Sequence, residues 1–189
     1  MDLFLCERKG RDTDDLIRIC LEDHAVSGTG DARIERSEKG KPYLAGDFGV
    51  HFSVSHTGRL WSCLFSGCEC GVDIQMVKDV DEEALSKRFF TSKEQAYVRE
   101  NGASGFFDIW VRKEALAKCM GASLMSIIGK ASVSDGDSLP KRIFAFGKEF
   151  SFLKADISEE AAGGDIRCAA CIEGAAGADE RIEQIWLKI

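Results

Sequence analysis

Two short segments carry residue types that could handle a phosphate. In Trp110-Val111-Arg112-Lys113-Glu114-Ala115-Leu116-Ala117-Lys118, the residues Trp110, Glu114 and Lys118 recur at every fourth position. On a helix that spacing stacks an indole, a carboxylate and an ammonium on one face. In Gly71-Val72-Asp73-Ile74-Gln75, two polar residues alternate with apolar ones, which on a strand aims Asp73 and Gln75 to one side. A helical acid facing a strand acid, with a lysine one turn away, suits a hard metal ion holding a phosphate. Each residue also has a plainer reading. Glu114 alone would be a solvated helix residue paired with Lys118, worth only ~0.2–0.5 kcal/mol, and a lone Asp73 would sit at a turn or edge. Trp110 and Leu116 nevertheless give the helix an inward side, and Glu114 shares the Trp110 face, a poor place for an unpaired charge.

The elements that must position these residues can be read from periodicity. Leu3–Glu7 reads as a strand and residues 13–24 as a helix whose Leu16, Ile17, Cys20 and Leu21 form an apolar stripe. After a Ser27-Gly28-Thr29-Gly30 loop, strands are expected at residues 51–55, 60–65 and 70–76, with Gly58-Arg59 as a turn. A helix follows at about residues 81–90. Thr91-Ser92-Lys93-Glu94 has the spacing of a capping box and starts another at Ser92. A third helix, about residues 105–120, ends on Gly121, the expected left-handed stop. Strand candidates then come at residues 126–128, 142–146, 150–155, 166–172 and 182–188. Both stretches run helix first and strands after, and a boundary at residues 100–104 divides an N-terminal α+β half, 1–101, from a C-terminal one, 102–189. Phe89, Phe90, Phe106, Phe107 and Trp186 read as core.

Composition sets limits. With 189 residues, 44% of them apolar, the chain can bury a full core. It has no apolar run of about eighteen residues to span a bilayer, and its first residues lack the basic region and cleavage site of a signal peptide, so a cytoplasmic location is expected. A net charge of −7 disfavours nucleic acid or an anionic membrane as the main partner. Any phosphate ligand therefore needs a local basic pocket. Among the eight cysteines, Cys63, Cys68 and Cys70 with Cys168 and Cys171 form the best candidate cluster for zinc or redox chemistry. Reduced core thiols are the favoured reading, since free cysteine packs as a small apolar residue.

Two upstream motifs, Gly40-Lys41-Pro42-Tyr43-Leu44 and Phe52-Ser53-Val54-Ser55-His56-Thr57-Gly58, complete a series of four in order from residue 40 to 121. Together they resemble the 4'-phosphopantetheinyl transferases, particularly the Sfp-like type. The resemblance implies two similar α+β halves related by a pseudo-twofold axis, with the site between them. It implies transfer of the 4'-phosphopantetheine arm of coenzyme A to a serine of an apo acyl or peptidyl carrier protein, dependent on Mg2+, with Mn2+ an alternative, and release of adenosine 3',5'-bisphosphate. By the same resemblance Asp73, Glu114 and Gln75 would hold the metal, Glu114 would act as base on the serine, and Lys118 would sit on the coenzyme phosphate. Lys41, Ser55 and His56 would contact coenzyme A, the latter two at its 3'-phosphate. On residue type alone, Lys41 would be an exposed turn lysine and His56 a core or turn histidine. Gln75 departs from the commoner pattern, which has glutamate there and one more negative charge. Lys113, about 140° around the helix from Lys118, reads as peripheral. Arg8, Arg33 and Arg36 are further basic candidates that spacing does not rank. The segment carrying Lys78, Lys87, Arg88 and Lys93 is expected to dock the carrier. Two other readings stay open: a coenzyme A binding module without transfer, and a cysteine-ligated metal or redox protein.

Overall fold

The computed structural model describes residues 1–24, 29, 32–158, 160, 163–177 and 180–189; the loop expected at residues 27–30 lies, except for Thr29, outside them. Among the described residues, ten strands and four helices run in the order β1 (Asp2–Glu7), α1 (Thr13–Asp23), β2 (Ile34–Arg36), β3 (Pro42–Leu44), β4 (His51–Thr57), β5 (Leu60–Ser66), β6 (Cys70–Met76), α2 (Glu82–Phe89), α3 (Ser92–Cys119), α4 (Leu124–Ile127), β7 (Arg142–Ala145), β8 (Lys148–Lys154), β9 (Ile166–Glu173) and β10 (Glu183–Trp186). They build an α+β fold of two sheet–helix modules. One sheet has the order β10-β1-β5-β4, the other β6-β9-β8-β7, and β2 and β3 form a separate ribbon.

The layers follow from which strand faces are apolar. The α1 stripe of Leu16, Ile17, Cys20 and Leu21 packs on Phe4, Phe52, Trp61 and Phe65 of the first sheet. The opposite face of that sheet, Leu3, Leu5, Leu60 and Leu64, meets Val72, Ile74, Ala170 and Ile172 of the second. The far face of the second sheet carries Phe150, Phe152, Ala169 and Cys171 and is covered by α3 through Val111, Ala115 and Cys119. The strands do not divide at residue 101. β6 precedes that point yet sits in the sheet with β7–β9, and β10 returns to pair in parallel with β1, Leu3 opposite Gln184.

The two sheets meet along β4 and β6, joined by side chains in place of a backbone ladder. Ser53, Ser55 and Thr57 alternate on β4, and their hydroxyls accept from the N–H groups of Val72 (3.1 Å), Ile74 (3.3 Å) and Met76 (3.0 Å). β6 is thus hydrogen-bonded on both edges, with β9 on its other side.

Helix α3 starts at the expected capping box: Glu94 N–H donates to Thr91 Oγ1, and Thr91 N–H to Glu94 Oε2 at 2.8 Å. It breaks at Gly102, whose φ of 60° and ψ of −146° are non-helical. Two expectations need correction. Residues 126–128 form no strand: Leu124–Ile127 is a helical turn that buries only Ile127, the segment offering one inward residue where a paired strand needs an alternating row. Trp186 is 39% exposed rather than core, because β10 is the edge strand of its sheet and is covered on one side only by β1. Among the described residues, no helix is long and apolar enough to cross a membrane.

Candidate active site

The site lies where α3 crosses β6, and a glycine permits the crossing. A Cβ on Gly71 would stand 2.0 Å from the carbonyl oxygen of Ala115 and 2.5 Å from the amide nitrogen of Cys119. Only a residue without a side chain allows strand and helix backbones this close. Two residues along β6, Asp73 points from the same strand face toward α3. The structure brings these two together: Lys118 Nζ lies 2.8 Å from Asp73 Oδ1 and also donates to the Val72 carbonyl at 3.0 Å. Ser55 Oγ donates to the same Asp73 oxygen at 2.7 Å. Asp73 is buried, and its second oxygen carries no hydrogen bond among the described residues.

Glu114, half-buried one turn before Lys118, makes no hydrogen bond or ion pair among the described residues. Burial, and after it the charge of Asp73, pushes its carboxyl above the usual range, while Lys118 pulls the other way. Two carboxylates facing one gap with one ammonium between them leave negative charge for a cation to balance. Gln75 completes the row on β6. Its amide nitrogen reaches toward Thr57 Oγ1 (3.5 Å) and the Met76 carbonyl (3.4 Å), and its oxygen has no donor among the described residues.

The remaining expected residues divide. Lys41, on the approach to β3, donates to the Cys70 carbonyl at 3.0 Å and pairs with Glu69 at 2.8 Å. Cys70 and Val72 are two residues apart along β6, so Lys41 and Lys118 bond to carbonyls about 7 Å apart on one edge of that strand. Lys41, His51 and Tyr43 line a cleft of about 560 Å³ closed by Met120, Gly121 and Phe146. Ser55 and His56 point to opposite faces of β4: the serine is buried on Asp73, the histidine is exposed. Arg36 is held by Asp14 at 2.6 Å, Arg33 lies 3.6 Å from Glu35, and Arg8 donates to the Arg11 carbonyl. None of the three is brought to the site.

Lys113, expected to be peripheral, is fully buried and ion-paired to Glu94 at 2.8 Å, with a second bond to the Ala131 carbonyl at 2.7 Å. Glu94 also accepts from the amides of Thr91 and Val133, each at 2.8 Å. The pair clamps α3 to its own start and to the loop after α4, fixing the turn that presents Glu114. A sequence signal existed: the neighbours of Lys113 three and four positions away, Ile109, Trp110, Leu116 and Ala117, are all apolar, which places it on the core face. Trp110 itself stacks on Phe106 (centroids 5.8 Å apart) and meets Phe89 edge-on (6.4 Å), joining α2 to α3.

The cysteines are free thiols dispersed through the molecule: Cys63 in the core under α1, Cys70 between the sheets, Cys171 under α3. Among the described residues no three His, Cys, Asp or Glu side chains gather as a metal-holding group. Burial pushes the Cys70 and Cys168 thiols far above their ordinary range, the reverse of what a reactive thiolate needs.

The crossing of β6 and α3 thus gathers two carboxylates, an amide and a lysine beside the seam between the sheets. Residues 69–171 match the family described as the 4'-phosphopantetheinyl transferase superfamily, and the chain belongs to that family. It is similar to the 4'-phosphopantetheinyl transferase Sfp of Bacillus subtilis (strain 168), 29% identical over 64% of this chain and 55% of that protein. It is also similar to the 4'-phosphopantetheinyl transferase gsp of Aneurinibacillus migulanus, 30% identical over 47% of this chain and 38% of the relative. With the 4'-phosphopantetheinyl transferase AcpT of Salmonella typhi it shares 32% identity over 48% of this chain and 50% of the other. The matches span between 38% and 55% of these relatives' length.

Proposed function

We propose that this chain transfers the 4'-phosphopantetheine arm of coenzyme A to a serine hydroxyl of an apo carrier protein, releasing adenosine 3',5'-bisphosphate. The observation that carries the reading is the Asp73–Lys118 contact at 2.8 Å beside Glu114, whose carboxyl is raised by burial and by Asp73. The donors fit a magnesium ion: the free Asp73 oxygen, Glu114 and the Gln75 amide oxygen are hard oxygen ligands, and magnesium commonly takes one or two carboxylates together with substrate phosphates. When bound, the ion supplies Lewis-acid polarisation of the phosphoryl oxygens. Glu114 accepts the proton of the incoming serine as its oxygen forms the new bond to phosphorus. Lys118 faces the charge left on the departing nucleotide phosphate as the old bond breaks. Ser55, donating to Asp73, holds that carboxylate in place.

Mass spectrometry of apo carriers incubated with the protein, coenzyme A and magnesium tests the reaction; the expected product is a carrier heavier by one phosphopantetheine. Gln75 favours one second reading, a coenzyme A binding module without transfer. That reading predicts thermal stabilisation by coenzyme A with every carrier left unmodified.

Changing Gln75 to Glu is expected to lower the magnesium concentration that gives half-maximal rate, because another carboxylate adds attraction for a divalent cation. An unchanged value would place residue 75 away from the ion.

His56→Ala and Lys41→Ala are expected to weaken coenzyme A about tenfold or more, by the usual worth of a charge-assisted contact, and dephospho-coenzyme A much less. Ser55→Ala should cost the two ligands equally, since its hydroxyl is spent on Asp73. Equal losses for all three variants in competition binding would remove His56 and Lys41 from the 3'-phosphate.

For the carrier, α2 ends in exposed Lys87 and Arg88 with Lys78 and Lys93 exposed nearby, while its first turn holds Glu82 and Glu83. Charge reversal at Lys87 or Arg88 is therefore expected to raise the KM for carrier and spare that for coenzyme A. Unaltered carrier kinetics at low salt would dismiss this docking surface.

A further inference from the structure

On α3 two residues before Glu114, and so about 200° around the helix from it, Arg112 occupies an environment that ordinarily excludes an unpaired cation. It is 8% exposed. Its guanidinium lies 3.9 Å above the centre of the Phe152 ring and donates to the Pro140 carbonyl. No carboxylate pairs with it among the described residues, and its Nε is buried with no hydrogen-bond partner. The nearest acid on its own helix, Asp108, is held by Arg167 at 3.1 Å and by the Tyr97 hydroxyl at 3.3 Å. A buried charge left in this state costs folding free energy unless something answers it.

Arg112 lines a cavity of about 1100 Å³ between α3, β8, β9 and residues 139–142, 176–177 and 180–184. Asp73, Glu114 and Lys118 do not line it. Its described walls carry six cations, Arg112, Lys141, Arg142, Lys154, Arg167 and Arg181, against four carboxylates, an excess of positive charge in a chain whose net charge is −7. Three of those carboxylates are already committed: Asp108 and Asp165 to Arg167, Asp156 to Lys154. Arg112, Lys141, Arg142 and Arg181 make no ion pair among the described residues. Between the charges, Val111, Leu139, Phe152 and Ile182 give the wall an apolar stretch. Cations without an ion pair and apolar side chains lining one cavity are the make-up of a pocket for a small organic anion.

We infer that this cavity is a second ligand site, separate from the Asp73–Glu114 seam, that takes a carboxylate or phosphate group attached to an apolar body, with Lys141 as its exposed anion contact and Arg112 lending positive charge from the wall. The inference does not depend on the transferase reading. The shared chemistry is an oxyanion, and two probes separate its sources: inorganic phosphate for a phosphate ester, sodium hexanoate for a carboxylic acid.

The test is an NMR titration of the whole chain with each probe, chloride keeping ionic strength constant, followed at the Arg112 Nε–H resonance and at the amides of residues 139, 141–142, 152–154 and 165–167. Saturable shifts at these positions with either probe are expected. Binding should weaken about tenfold or more in Arg112→Met, weaken several-fold in Lys141→Ala, and persist in Lys118→Ala. Arg112→Met should fold, with a melting temperature in chloride buffer equal to or above wild type, because it removes an unanswered buried charge. Lys141 is exposed, so its variant reports on binding whether or not the methionine variant is stable. No saturable shift with either probe, shifts that centre on Asp73 and Lys118, or unchanged affinity in both Arg112→Met and Lys141→Ala would overturn the assignment.

Discussion

Replacing Lys113 with methionine is expected to lower the unfolding free energy by about 3–5 kcal/mol, because it leaves Glu94 as a buried carboxylate without its counter-charge. The pair is fully buried at 2.8 Å, and each member is satisfied by further bonds, to the Ala131 carbonyl on one side and to the Thr91 and Val133 amides on the other. The double variant Lys113→Met with Glu94→Gln removes both charges and should lose much less than the sum of the singles, the coupling expected of a closed network. Urea denaturation of the four proteins measures this. A single-variant loss below about 1 kcal/mol, the range of an exposed pair, would show that the network does not clamp α3. Activity should fall with stability here, since the same helix turn presents Glu114.

Glu114→Gln and Asp73→Ala are each expected to reduce carrier modification by at least about 10²–10⁴-fold, the usual worth of a positioned acid or base, with the fold retained. The two differ in what they do to stability. Glu114 has its carboxyl raised in the folded chain, by burial first and by Asp73 second. The fold therefore binds its proton more tightly than the unfolded chain does, and ionising it costs stability. In magnesium-free buffer, stability from this residue should fall as pH rises from the ordinary glutamate value through the folded one, and the cost should be fully present above that. Glu114→Gln should abolish this slope and melt no lower than wild type at neutral pH. Asp73→Ala should melt somewhat lower, because it strands the Ser55 hydroxyl and the Lys118 ammonium. Carbon-13 NMR of the Glu114 carboxyl gives a readout besides activity: it should titrate above the ordinary glutamate value and shift down when magnesium is added. Turnover near wild type in either variant would remove that residue from the catalytic set.

Much of this molecule is written locally. The alternation in residues 51–57 and 70–76, the α1 stripe and the Thr91–Glu94 capping box each depend on neighbours within a few positions, so their periods survive in the bare sequence. Asp73 and Gln75 could be put on one strand face, and Glu114 and Lys118 on one helix face, for the same reason. What spacing could not supply is which face meets which. Lys118 turned out to bond Asp73 across from another element rather than Glu114 on its own helix, and Ser55 reached the same carboxylate because β4 and β6 are joined by hydroxyls instead of a backbone ladder. Gly71 reads as a small residue in a strand until Ala115 is seen where its Cβ would stand. The apolar neighbours of Lys113 signalled its burial, but its pairing with Glu94 was hidden, as was the burial of Arg112 without an ion pair among the described residues. A charge's burial is decided by the long-range packing of sheet against helix, and neither its own residue type nor its nearest neighbours in the chain carry the identity of the partner that folding brings to it.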